Sequence, residues 1–263
     1  MFRLHLVVLV NEIHKGLLHV WRYRVNFAAQ LAMFAGLFVG IGFLMGRGRM
    51  DAAALPGMLV GFVVWYYAFM AILNMSTSLA TEAQTGTLEQ TYISPARPAW
   101  IFTGRALATV VSTTLMGGVM AGVLVLIFGL RLTVGLAALP VFGLTLAGVF
   151  GFGFMIGGAT LAFKRVEAVG NLVQNMLLFM NGTLLPVDHF PNWMAAISNT
   201  LPTTRGISAL RAIVIDRQPL SRLWDDGTLA ALAIHSALYL FAGWLTFTWC
   251  ERYARRHGTL GHY

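Results

Sequence analysis

The chain has 263 residues, of which 57% are hydrophobic and only 11% charged, and its mean hydropathy is +0.71. Soluble domains carry roughly a quarter charged residues, so this composition excludes an ordinary soluble enzyme or binding module and indicates an integral membrane protein. The formal net charge of +8 comes from basic residues scattered between apolar runs, with no aromatic-interleaved basic patch. It reads as membrane topology and attraction to anionic lipid, and nucleic acid is not an expected partner. A single cysteine, Cys250, rules out an intramolecular disulfide and any CxxC site.

In chain order, Leu4 to Tyr23 places Leu6, Val10, Ile13, Leu17 and Val20 at helical spacing, with Glu12, Lys15, His19 and Arg22 elsewhere on the wheel. Residues 1–24 are therefore expected to form an amphipathic helix lying in the membrane interface. Residues 25–263 are expected to form one all-α transmembrane domain of six helices. The candidate spans run from Val25 to Met45, Leu55 to Ala80, Ile101 to Leu130, Val134 to Phe163, Ala168 to Leu185 and Thr228 to Trp249. Each approaches the roughly 20 apolar residues that a hydrocarbon core about 30 Å thick requires. The first run is too long for a signal-peptide core of roughly 7 to 15 residues. Unpaired backbone is prohibitive in lipid, so helices are expected, and the runs are too continuously apolar for barrel strands.

Lys and Arg set the orientation. With both termini cytoplasmic, the inner side receives Arg3, Lys15, Arg22, Arg24, Arg97, Arg105, Lys164, Arg165, Arg252, Arg255 and Arg256. The outer side receives Arg47, Arg49, Arg131, Arg205, Arg211, Arg217 and Arg222, several in a long loop that weighs less in the rule. Residues 250–263 then form a cytoplasmic tail.

The chain lacks a G-x-x-x-x-G-K-[ST] loop, an HExxH pair and a G-x-S-x-G elbow, so no catalytic residue, metal site or bound cofactor is expected. His235, inside the last span, is read as a neutral histidine bonded to a neighbouring helix. The spans contain no carboxylate near their centres, which argues against a proton-coupled carrier. They do contain G-x-x-x-G pairs that permit close helix contact: Gly36 and Gly40, Gly57 and Gly61, Gly118 and Gly122, Gly153 and Gly157. Candidate path residues are Asn74, Trp65 and Tyr66 in the second span, and Asn171, Gln174, Asn175 and Asn181 in the fifth. The fifth-span amides fall toward one side, facing either a wet path or the next helix; the aromatics suit stacking on an amphipathic substrate or core packing.

Between the second and third spans, residues 81–94 are polar. Gly86 breaks the second helix, and Ser94-Pro95 is a helix-start signal, the hydroxyl capping free N–H groups and proline filling the first turn. The sequence E-x-x-x-G-T-L-E-Q followed by S-P-x-R-P, here Glu82, Gly86, Thr87, Leu88, Glu89, Gln90, Ser94, Pro95, Arg97 and Pro98, resembles the signature of ABC-2 type transporter permeases. Ala83 and Gln84 stand where many relatives carry charged residues. The resemblance covers nearly the whole chain, including an outer region at 186–222 similar to the family's short extracellular re-entrant helices.

The resemblance implies a coupling helix seated in a groove of a separate ATPase subunit, with Leu88 entering the groove, Glu89 meeting a basic residue and Gly86 making the turn. Lys164, Arg165 and Glu167 would make a second, smaller contact. It further implies ATP and Mg in the partner subunit, a second permease copy or related permease, membrane lipids as surroundings, and a bacterial inner membrane location. The expected function is export of a drug- or lipid-like amphipathic substrate. The alternatives are a polysaccharide-exporting member of the same family and an ion-gradient-driven carrier, with an intramembrane enzyme or a scaffold further behind.

Overall fold

The computed structural model describes residues 2–85, 93, 98–163 and 166–256. Among these the regular secondary structure is all helical. The helices are α1 (Phe2–Arg22), α2 (Arg24–Met45), α3 (Leu55–Thr85), α4 (Pro98–Phe128), α5 (Ala138–Phe163) and α6 (Glu167–Met180). A single 3-10 turn at Val187–His189 precedes α7 (Asn192–Thr200), α8 (Pro202–Val214), α9 (Leu220–Asp225) and α10 (Thr228–Arg256).

Five of these helices, α2, α3, α4, α5 and α10, are long and apolar enough to cross a membrane. The expected fifth span differs. Its helix, α6, has 14 residues, which at about 1.5 Å per residue falls short of a hydrocarbon core of about 30 Å. Asn181 takes the C-cap and Gly182 turns the chain at φ +78°, a backbone region that glycine enters without a Cβ clash. The chain then continues as irregular backbone to Pro186, with Asn181 and Thr183 fully buried. Buried irregular backbone is tolerated where protein groups bond to it.

α3 is the central pillar: 78% of its most apolar window is buried, against 17% for α2 and 22% for α4 and α10. Its aromatic residues build the core. Phe34 of α2 packs edge-on against Tyr66 with ring centroids 4.9 Å apart, and Phe38 meets Phe62 at 5.4 Å. The outer helices leave Leu126, Phe241 and Trp244 exposed, as lipid-facing surfaces would.

α5 packs closely because it carries glycines on two sides. A Cβ on Gly151 or Gly158 would come within 3.0 Å of the α10 backbone at Tyr239 and Phe247, and one on Gly243 would strike the Gly151 backbone. Gly153 and Gly157 instead face Ala71, Met75 and Leu79 of α3. Gly36, Gly40, Gly118 and Gly122 have no atom within 4 Å of an added Cβ and lie on open faces of this chain.

α1 carries its apolar residues differently from the expected stripe. Val10 and Leu17 are exposed together with Val7, Leu18 and Trp21, whereas Val20 is buried and Ile13 partly so. Gly16 and Glu12 turn inward, against Ala108 and Gly104 of α4. The inner face is thus partly polar, and the outer face mixes these apolar residues with exposed Asn11, His14, Lys15 and His19. His235 also differs: its Nδ1 is 2.7 Å from the Ala231 carbonyl, one turn back in its own helix.

The α5–α10 seam sets one expected outcome. Gly243→Leu should destabilise the chain by at least about 3 kcal/mol, the upper end of ordinary overpacking costs, because the obstacle is backbone that cannot rotate away. Gly36→Ala and Gly122→Ala should leave the unfolding midpoint in detergent unchanged.

Candidate functional site

One end of the bundle gathers the segments expected to couple to a partner. Leu79 near the end of α3, Phe102 at the start of α4, Leu161 at the end of α5, and Phe247 and Ala254 of α10 form one buried cluster. Phe102 and Phe247 meet edge-on with centroids 5.2 Å apart. The connection between α3 and α4 and the one between α5 and α6 therefore leave from the same end. Gly86, Thr87, Leu88, Glu89, Ser94, Pro95, Lys164 and Arg165 lie outside the described residues, while Glu82 falls in the last turn of α3 and Glu167 opens α6.

Beside that end, α1, α2, α3 and α4 enclose a cavity of about 530 Å³. Its walls are polar for a membrane bundle: Glu12 and Lys15 of α1, Gln30 of α2, Asn74 of α3, and Arg105 and Thr109 of α4 all reach it. Lys15 Nζ pairs with Glu12 Oε1 at 2.5 Å, and Asn74 Nδ2 donates to the Met70 carbonyl at 2.8 Å. Tyr66 reaches the cavity from the core side.

The expected path residues do not converge within one chain. Trp65 is buried, and its Nε1 donates to the Gln174 carbonyl at 2.9 Å, tying α3 to α6. Gln174 is also buried; its Nε2 donates to the Phe69 carbonyl at 3.3 Å, and among the described residues its Oε1 has no partner. Asn171 and Asn175, on the same helix, are exposed. Asn181 is wholly buried, with Oδ1 accepting from the Thr183 amide at 3.0 Å and Nδ2 without a partner among the described residues. Gln174 and Asn181 thus face the protein interior, while Asn171 and Asn175 face outward.

The opposite end holds a residue that sequence reasoning counted only as a loop charge. Arg211 of α8 reaches between α3 and the 181–186 stretch, its Nε donating to the Gly57 carbonyl at 2.8 Å and its Nη2 to the Thr183 carbonyl at 3.1 Å. A Cβ on Gly61 would lie 2.7 Å from Thr183 Cα and 3.1 Å from Arg211 Nη2, so the Gly57 and Gly61 pair makes room for this approach. Burial pulls the Arg211 pKa down to about 10, which leaves the guanidinium charged at neutral pH. The available signal was its register. Arg211 falls between Ile207 and Val214 on the face of α8 that is otherwise apolar and buried.

The sequence model of the ABC-2 type transporter family matches residues 12–215. This chain belongs to the ABC-2 type transporter family. A search of curated proteins finds no match. Membership makes the chain a multi-pass membrane permease of an ABC transporter, a family whose members work with ABC ATPase subunits. The match runs from the middle of α1 through α8, so the residues lining the polar cavity and Arg211 all fall within the family domain.

The Trp65 bond gives a direct check on the α3–α6 contact. Trp65→Phe keeps the ring in the core and removes the donor, and should cost about 1 kcal/mol, the net worth of one intramolecular hydrogen bond. Thermal unfolding of the purified permease, followed by intrinsic fluorescence of the remaining tryptophans, reads it.

Proposed function

We propose that this ABC-2 permease forms the translocation path of an ATP-driven exporter for an amphipathic, drug- or lipid-like substrate. The reading includes a separate ATPase subunit, which binds ATP and Mg, and a second permease copy or related permease to complete the path. It places the chain in a bacterial inner membrane with both termini cytoplasmic. In this reading α6 together with the 181–186 stretch acts as the fifth of six spans, and α7 and α8 are the outer re-entrant pair.

The observation that carries the coupling role is the shared end of the bundle. The α3–α4 and α5–α6 connections leave beside the cluster of Leu79, Phe102, Leu161, Phe247 and Ala254. A partner that pushes on one connection therefore pushes on four helices that are already packed together. Glu82, Gly86, Thr87, Leu88 and Glu89 form the main docking segment, ahead of the helix start signalled by Ser94-Pro95, and Lys164, Arg165 and Glu167 the smaller one. ATP drives the cycle only if its binding favours one arrangement of the permease pair over the other.

An apolar-walled path suits amphipathic molecules. The cavity between α1 and α4 offers polar groups on the inner side, and Asn74 and Tyr66 reach it from α3. Trp65 and Gln174 join α3 to α6, and Asn181 closes the end of α6. Asn171 and Asn175 lie on an exposed face of α6, which suits a path lined jointly with the second permease.

Co-purification from native membrane tests the reading. An ATPase subunit should accompany the wild-type chain and be lost from Leu88→Asp and Glu89→Arg variants that still insert. Absence of any ATPase beside the wild-type chain in gentle detergent would overturn it.

A further inference from the structure

The Arg211 guanidinium has more N–H donors than its two backbone bonds use. Among the described residues no carboxylate lies within ion-pair distance of it; the pairs observed are Lys15 with Glu12, Arg222 with Asp226, and Arg255 with Glu251. Carbonyl dipoles only partly offset the cost of holding a charge away from water. Arg211 also borders a cavity of about 410 Å³ at this end of the bundle, between the α2–α3 turn, the start of α3 and the 184–186 segment. The walls are mostly apolar, with Met45, Leu55, Leu185 and Ile215 among them. The one carboxylate on the rim, Asp51, instead accepts the Ala53 amide at 2.9 Å.

A partly buried cation lacking a counter-charge, set in an apolar-walled cavity, is the complement of an anionic amphiphile. We infer that this cavity is a binding site for the oxyanion of an anionic lipid, a phosphate or carboxylate group seated on Arg211 with its apolar chain along Met45 and Leu55. Guanidinium suits either oxyanion because its planar donors pair with two oxygens at once. The bound anion replaces the missing counter-charge at the point where α3, α8 and the 181–186 stretch meet. Since Arg211 already holds those three elements together, occupancy favours the arrangement in which they stay joined.

Native mass spectrometry of the full chain in detergent tests this, titrating dioleoylphosphatidylglycerol against dioleoylphosphatidylcholine, with a parallel arm of inorganic phosphate read as a thermal shift. The wild-type chain should prefer the anionic lipid by at least about tenfold. Arg211→Gln should abolish the preference. Because that variant also loses two backbone bonds, Ala54→Trp provides a second reading: Ala54 lines the cavity and is exposed, so tryptophan fills the space and leaves Arg211 in place. It should abolish the preference too. A phosphate shift that both variants lose would identify a site that accepts the bare oxyanion as well as the lipid. Lipid preference without a phosphate shift would identify the lipid alone, and both results support the site. No anionic preference in the wild-type chain, or a preference that survives Ala54→Trp, overturns it.

Discussion

A helix that stops leaves main-chain groups in need of other partners, and where water is excluded the protein must supply them; the stretch from Asn181 to Pro186, with Asn181 and Thr183 buried, is where this chain meets that constraint. Three side chains answer it. Asn181 Oδ1 accepts the Thr183 amide, Thr183 Oγ1 lies 3.1 Å from the Gly61 carbonyl, and Arg211 takes the Thr183 and Gly57 carbonyls together. Because these bonds reach α3, the most buried helix, the end of α6 is fastened to the pillar around which the bundle is built. Gly57 and Gly61 keep that side of α3 low enough for the fastening to form.

At the other end of the molecule, close packing brings helices together. α5 lies between α3 and α10, and glycine on both of its sides lets the three helices approach to backbone contact. Their far ends meet the start of α4 in a small cluster around Leu79 and Phe247. One end is thus fastened by directional bonds to main-chain carbonyls, and the other brings four helices into close apolar contact. Beside that end lies the polar cavity behind α1, which Glu12 and Lys15 both line.

Much of this was legible in the sequence because hydrophobic length is a strong signal. The expected starts at Leu55 and Thr228 coincide with those of α3 and α10, and Met45 ends α2 as expected. The end of the fifth helix was placed too late because apolar composition continues through Leu184 and Leu185 after the helix has stopped. Hydropathy registers those residues as membrane, but Asn181 and Gly182 have already turned the chain. Glycine pairs were sought at a spacing of four, which found Gly153 and Gly157 against α3 but not Gly151 and Gly158, seven apart, against α10. The stripe on α1 was read as one apolar face, whereas burial divides it, because α4 receives Gly16 and Val20 while Val10 and Leu17 point away. Arg211 was missed because a topology count weighs a basic residue by its loop, and only its place within the apolar face of α8 reveals that the side chain turns inward.

Hydrogen–deuterium exchange on the full chain in lipid nanodiscs tests the central claim that the break after α6 is built into the bundle and held by Arg211. The account predicts that amides of 181–185 and 203–214 in the wild-type chain exchange nearly as slowly as those of α3. It also predicts that Arg211→Gln speeds exchange in both segments while α5 and α10 stay protected. Fast exchange at 181–185 in the wild-type chain, or no change on removing the guanidinium, would contradict it.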